Sequence, residues 1–151
     1  MKKFIFTAMM AGSVLSACTA PADTGSGIVV SDARIKSPMK GRAVTAGYFE
    51  LTNHSDLDDA LTGISSSVAG RVELHNTIIE NDISKMRRQE TVPVKSGETV
   101  IFKPGSYHIM LFDVNLSPGA TDAALTFSFE HADDITIIAD ITGGMDHKSH
   151  H

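Results

Sequence analysis

Residues 98–113 read ETVIFKPGSYHIMLFD, and their pattern decides the fold. Two short apolar runs flank Lys103-Pro104-Gly105, a turn-forming tripeptide. The pattern predicts strands over 98–103 and 107–113 with a tight turn between them. In the second strand, successive side chains point to opposite faces. Ile109 and Leu111 take the core face, so His108 and Met110 share the other, about 6–7 Å apart along the strand.

The same texture extends outward in both directions. Strands are expected near 28–35, 44–53, 61–65, 71–79, 85–94, 124–130 and 134–141. Between them lie turn signals such as Ser37-Pro38, Asn53-His54-Ser55-Asp56, Glu80-Asn81-Asp82, Lys95-Ser96-Gly97 and Ser117-Pro118-Gly119. Short strands with turns about every ten residues imply an all-β antiparallel sandwich or barrel. No long amphipathic helix is present; Asp56–Leu61 offers one helical turn at most.

In Val72-Glu73-Leu74-His75, Val72 and Leu74 point inward, and His75 shares the outward face with Arg71 and Glu73. Four soft or borderline donors are thus spaced along one region. Ten residues separate His75 from Met86, twenty-one separate Met86 from His108, and one separates His108 from Met110. These four side chains are the candidate ligands of one metal ion. Thioether sulfur is soft and neutral, poorly suited to Mg²⁺, Ca²⁺ or Mn²⁺ and well suited to Cu(I). A blue-copper centre needs a thiolate, and the lone cysteine, Cys18, lies outside the strand region. Structural zinc sites use cysteines or clustered histidines, which the strand region lacks. Neutral ligands make binding reversible, which fits a carrier better than a permanent cofactor site.

The pattern His75-x10-Met86-x21-His108-x-Met110 resembles the signature of periplasmic copper chaperones of the PCuAC type. The flanking text is similar as well, in Val72-Glu73-Leu74-His75, Lys85-Met86-Arg87 and Lys103 to Leu111. The resemblance covers about residues 28–141. It implies a cupredoxin-like Greek-key fold, one exposed Cu(I) held by His75, Met86, His108 and Met110, and delivery to the copper centre of cytochrome c oxidase. Relatives often carry methionine two residues after the first histidine, where this chain has Thr77.

The ends of the chain suggest where it works. Lys2 and Lys3 precede an apolar run, Phe4 to Leu15, that is too short to span a bilayer. Leu15-Ser16-Ala17-Cys18 then resembles a lipobox. The expectation is a signal peptide over 1–17, lipidation of Cys18, a tether over 18–27, a copper-binding domain over 28–142 and a tail over 143–151. That places the protein in the bacterial envelope, on the periplasmic side and anchored by lipid. Thr19, where many enteric lipoproteins retained in the inner membrane have aspartate, leans toward the outer membrane. The tail contains Met145, His147, His150 and His151, a second candidate metal site suited to Cu(II).

Losing Lys2 and Lys3 with the leader takes the formal charge from −5 to −7. The largest basic cluster is Lys85, Arg87 and Arg88, so nucleic-acid binding is not expected. No nucleophile–base pair is readable, so an enzyme is not expected either. His54 and His131 read as turn residues, Met39 as a loop residue, and Tyr48 and Phe49 as strand packing. The functional expectation is an envelope copper chaperone that passes Cu(I) to a copper-accepting protein, such as a cytochrome c oxidase subunit or another copper chaperone. Two alternatives stand beside it: a copper-buffering or resistance protein that uses core site and tail together, and an assembly or adhesion sandwich in which the His/Met set is structural.

Overall fold

The structure, a computed structural model, describes residues 27–143. The expected leader, Cys18, most of the expected tether and the His/Met tail lie outside the described residues. Ten strands occur in the described part: β1 (Ile28–Lys36), β2 (Val44–Asn53), β3 (Asp59–Ser66), β4 (Arg71–Glu80), β5 (Ile83–Gln89), β6 (Val92–Val94), β7 (Thr99–Phe102), β8 (Tyr107–Phe112), β9 (Asp122–Phe129) and β10 (Ile135–Thr142). Among the described residues there is no helix; Ser55–Leu57 forms a bend instead.

The strands pair in the order β5-β4-β8-β2-β1-β10-β9-β3-β6, with β7 also on β2. The path folds over on itself, so that β3 lies against β4 and β6 approaches β2. It does not close, because β5 and β6 each have a neighbour on one side only. This is the expected all-β sandwich, with one ladder of a different sense. β1 pairs β10 in parallel, with Ile35 beside Ile141. Every other ladder is antiparallel.

The alternation read from the sequence sets the core. Ile35, Leu51, Leu61, Ile109, Leu111, Leu125 and Phe127 are fully buried. Phe49 stacks on Phe102 at 4.0 Å between ring centroids and meets Phe127 edge-on at 4.9 Å. Offset-stacked and edge-on geometries suit the ring quadrupoles. Gly47 lies opposite Ile109 across the β2–β8 ladder. A Cβ there would sit 2.8 Å from Ile109 Cγ1, so glycine lets β8 seat its core side chain against β2.

The run expected as one strand over 85–94 is broken at Glu90–Thr91. Its first half, β5, stays with β4, while its second half, β6, pairs β3. Pro93 falls within β6, an edge strand where a missing N–H leaves no inner ladder bond unmade. β7 and β8 follow each other along one side of β2, so the turn between them is an excursion from a nearly continuous edge.

Candidate metal centre

Two turns position the site. The β4–β5 hairpin closes through Asn81 and Asp82, both with positive φ (52° and 61°). Two such residues make a type I′ turn, which asparagine and aspartate tolerate. The hairpin register then follows, with His75 opposite Arg88 and Thr77 opposite Met86. The second turn is Lys103-Pro104-Gly105-Ser106. Its Ser106 amide donates to the Lys103 carbonyl at 3.1 Å, and Gly105 has φ of 79°. Proline at the second position and a left-handed glycine at the third define a type II turn. This turn aims the Ser106 carbonyl back toward β8.

Across the β4–β8 ladder, His75 stands directly opposite His108. Their ring centroids are 5.8 Å apart, tilted by 35°. His108 is buried at 5% exposure, and the His75 side chain is 14% exposed. Each ring spends one nitrogen on the protein. His75 Nε2 lies 2.9 Å from Glu73 Oε2, and His108 Nδ1 lies 2.9 Å from the Ser106 carbonyl oxygen. Both partners are acceptors, so in the neutral imidazoles these nitrogens carry the protons. The opposite nitrogens, His75 Nδ1 and His108 Nε2, are then bare lone pairs. Both are buried and have no hydrogen-bond partner.

Glu73 is held in place in turn. Its carboxylate lies 3.4 Å from Arg71 and 3.7 Å from Arg88. The Arg71 guanidinium also lies over the Phe112 ring, 4.4 Å from its centroid. The hydrogen bond from His75 holds the Glu73 pKa below the ordinary glutamate value; burial opposes this, and Arg88 and Arg71 assist it. A carboxylate behind an imidazole is the arrangement that fixes tautomer and ring orientation in many metal sites.

The methionines flank the histidine pair. Met110 shares the outward face of β8 with His108, is partly buried, and lies opposite Glu73 on β4 and Ala46 on β2. Met86 lies on the same face of the sheet at edge strand β5, diagonal to His75, and is 55% exposed. The structure therefore brings the two imidazoles face to face and places one thioether beyond each. β4 stands between Met86 and the strand that carries Met110.

Two participants escape a residue-by-residue reading of the sequence. Glu73 could have been found from Glu73-x-His75, since a period of two puts both on one strand face. The Ser106 carbonyl had no side-chain signal; only the turn type points to it. Met145, His147, His150, His151 and Cys18 lie outside the described residues.

Residues 28–141 match a protein-family model described as "Putative lipoprotein LpqE-like". Over 88 residues the chain is 39% identical to "Uncharacterized protein RP573" of Rickettsia prowazekii (strain Madrid E), covering 57% of this chain and 49% of that protein. Over 92 residues it is 29% identical to "Putative lipoprotein Lxx21020" of Leifsonia xyli subsp. xyli (strain CTCB07), covering 60% and 54%. These matches span about half the length of the curated relatives.

Among solved structures, the copper-bound PCuAC domain from PmoF2 superposes with a TM-score of 0.66 at 24% identity, covering 78% of this chain and 94% of that one. The apo PmoF2 PCuAC domain gives 0.63 at 25% identity, covering 76% and 89%. The Cu(I) form of DR1885 from Deinococcus radiodurans gives 0.55 at 20% identity, covering 75% and 76%. The fold is thus the cupredoxin-like fold of PCuAC domains, as the resemblance around residues 75–110 implied. With its model matched from residue 28 to residue 141, the chain belongs to the LpqE-like family.

Proposed function

We propose that this protein is a lipid-anchored copper carrier of the bacterial envelope. It binds one Cu(I) through His75 Nδ1, His108 Nε2, Met86 and Met110 and passes the ion to a copper-accepting partner. The observation that carries the reading is the pair of buried imidazole nitrogens with no hydrogen-bond partner. A buried polar atom left unpaired costs on the order of 1–3 kcal/mol, and a bound ion removes that cost. Glu73 and Ser106 fix the tautomers so that both lone pairs are free for a cation.

The choice of metal follows from the donors. Among the described residues, no three His, Cys, Asp or Glu side chains are grouped as a metal site. Two imidazoles supplemented by thioethers make a soft, neutral set, and such a set favours Cu(I) over hard divalent ions. Two of the similar solved domains are described as copper-bound, one of them with Cu(I). Met86 is the exposed member, so its bond to the ion is the first to give way. The resemblance names the copper centre of cytochrome c oxidase as the destination of the ion. The family description supports an anchor at Cys18, following a leader over 1–17. The tail ligands Met145, His147, His150 and His151 are proposed as a separate site for Cu(II).

The test is anaerobic competition against a Cu(I) chelator. The wild-type protein should take up one tightly held ion at the His/Met centre. Met110→Ile should keep the same unfolding midpoint and lose at least about tenfold in affinity, since it removes a donor without emptying the space. Unchanged affinity in the variant would sink the assignment. Additional ions held as tightly as the first would favour buffering over delivery.

A further inference from the structure

A cleft of about 340 Å³ opens on the β2 side of Met110. Val44 and Ala46 of β2 and Thr142 of β10 line it. Met39, in the β1–β2 connection, lines the same cleft. That connection is held by a turn in which the Arg42 amide donates to the Met39 carbonyl at 2.9 Å, with Gly41 at φ of 79°. Met39 is 70% exposed. A single exposed methionine needs no explanation by itself. This one shares a cleft with a candidate ligand, and both residues offer the same soft donor.

We propose that Met39 is a transfer ligand, a third thioether that takes Cu(I) from the centre toward solvent through this cleft. The inference rests on the copper-carrier reading above. In the step, the exposed Met86 leaves first. A bond from Cu(I) to the Met39 sulfur forms as the bond to one imidazole nitrogen breaks. The second imidazole nitrogen then leaves, and Met110 stays attached throughout. The metal remains monovalent, no electron moves and no proton is exchanged. Met39 then presents the ion at the mouth of the cleft, where an incoming ligand replaces Met110. The resident set fixes the affinity, and Met39 lowers the barrier to leaving. Because Met39 acts on the barrier, it speeds loading and release alike and leaves the equilibrium constant unchanged.

The experiment uses the full chain loaded with one Cu(I) under argon, and compares wild type with Met39→Leu. Leucine keeps the bulk and removes the lone pair. Equilibrium affinity is measured by chelator competition, and release is measured by stopped flow into excess chelator. The expected result is an affinity within about twofold of wild type and release slowed by about tenfold, equal to about 1.4 kcal/mol of barrier. Release at the wild-type rate overturns the proposal. So does a loss of affinity as large as that of Met110→Ile, which would make Met39 a resident ligand. A wild-type chain that takes up no Cu(I) defeats the carrier reading itself, which separates that failure from this one. As a second readout, Ag(I) titrated into protein labelled at the methionine methyls should shift the Met39 methyl along with that of Met110. A Met39 methyl that stays fixed while Met110 shifts also overturns the proposal.

Discussion

His75 and His108 face each other across the β4–β8 ladder with their rings 5.8 Å apart, each bound to the protein through one nitrogen and bare at the other. Cross-strand neighbours of this kind ordinarily satisfy each other or reach solvent. Here Glu73 and the Ser106 carbonyl draw the protons to the outer nitrogens and leave the lone pairs free. The sheet fixes the separation, and the two acceptors fix the chemistry.

Glu73→Ala removes the acceptor behind His75 and frees its tautomer. Cu(I) affinity should fall by about 10–100-fold, the usual cost of losing such a partner, while the melting temperature changes little. Anaerobic chelator competition measures it. Glu73→Gln, which keeps an acceptor oxygen, should retain most of the affinity. Equal losses in the two variants would mean that charge, rather than orientation, is what Glu73 supplies.

Gly105→Ala places a Cβ at φ of 79°, in the left-handed region that only glycine adopts freely. The strain should cost about 1 kcal/mol or more of stability. Because Ser106 accepts from both the His108 ring and the Thr77 amide, Cu(I) affinity should fall together with the denaturation midpoint. Urea unfolding and copper competition on one preparation test the coupling. A stability loss with unchanged affinity would separate the turn from the site.

The all-β class and most strand limits were legible because a period of two and turn residues are local signals. Ile109 and Leu111 inward, with His108 and Met110 on the other face, is strand parity alone. What the sequence could not provide depends on pairing. Nothing near Glu90 marks the point where the chain leaves β4 and crosses to β3. The parallel sense of β1 against β10 is likewise a property of the whole path. The place of Met86 was open for the same reason: its distance in sequence from His75 acquires meaning only through the hairpin register that puts it opposite Thr77. Glu73 was seen as an outward residue, but its contact with the His75 ring depends on side-chain geometry.

Gly47→Ala would drive a methyl to within 2.8 Å of Ile109 Cγ1 and 2.9 Å of its Cδ1. Ile109 is fully buried, so it cannot swing out to solvent to make room. Overpacking of this kind costs about 1–3 kcal/mol, and β8 carries both His108 and Met110. A lower urea midpoint is expected. In a double-mutant cycle with Ile109→Ala, which removes both atoms that the new methyl would meet, Gly47→Ala should cost less than it does beside Ile109.

Asp59, at the start of β3, contributes to the acid limb of stability. Burial raises its pKa, but hydrogen bonds from the Ala60, Ala132 and His131 amides outweigh it and bring the value below the ordinary aspartate range. The carboxylate accepts from Ala60 at 2.7 Å, Ala132 at 2.9 Å and His131 at 3.1 Å. A lowered folded-state pKa means that the folded state binds fewer protons than the unfolded one. The contribution is therefore present above the unfolded value, about 3.9, and is lost as pH falls through the folded value. Asp59→Asn should lower the urea midpoint at pH 7 by more than at pH 3. Equal losses at both pH values would show that the charge is immaterial.

X-ray absorption on the chain ending at Gly143, loaded anaerobically with one equivalent of Cu(I), tests the central claim most directly. Removing residues beyond Gly143 takes the tail donors out of the count. The predicted result is two nitrogen and two sulfur scatterers per copper, falling to one sulfur in either Met86→Ile or Met110→Ile. A wild-type spectrum without sulfur, or a sulfur count unmoved by both variants, would contradict a centre built from His75, Met86, His108 and Met110.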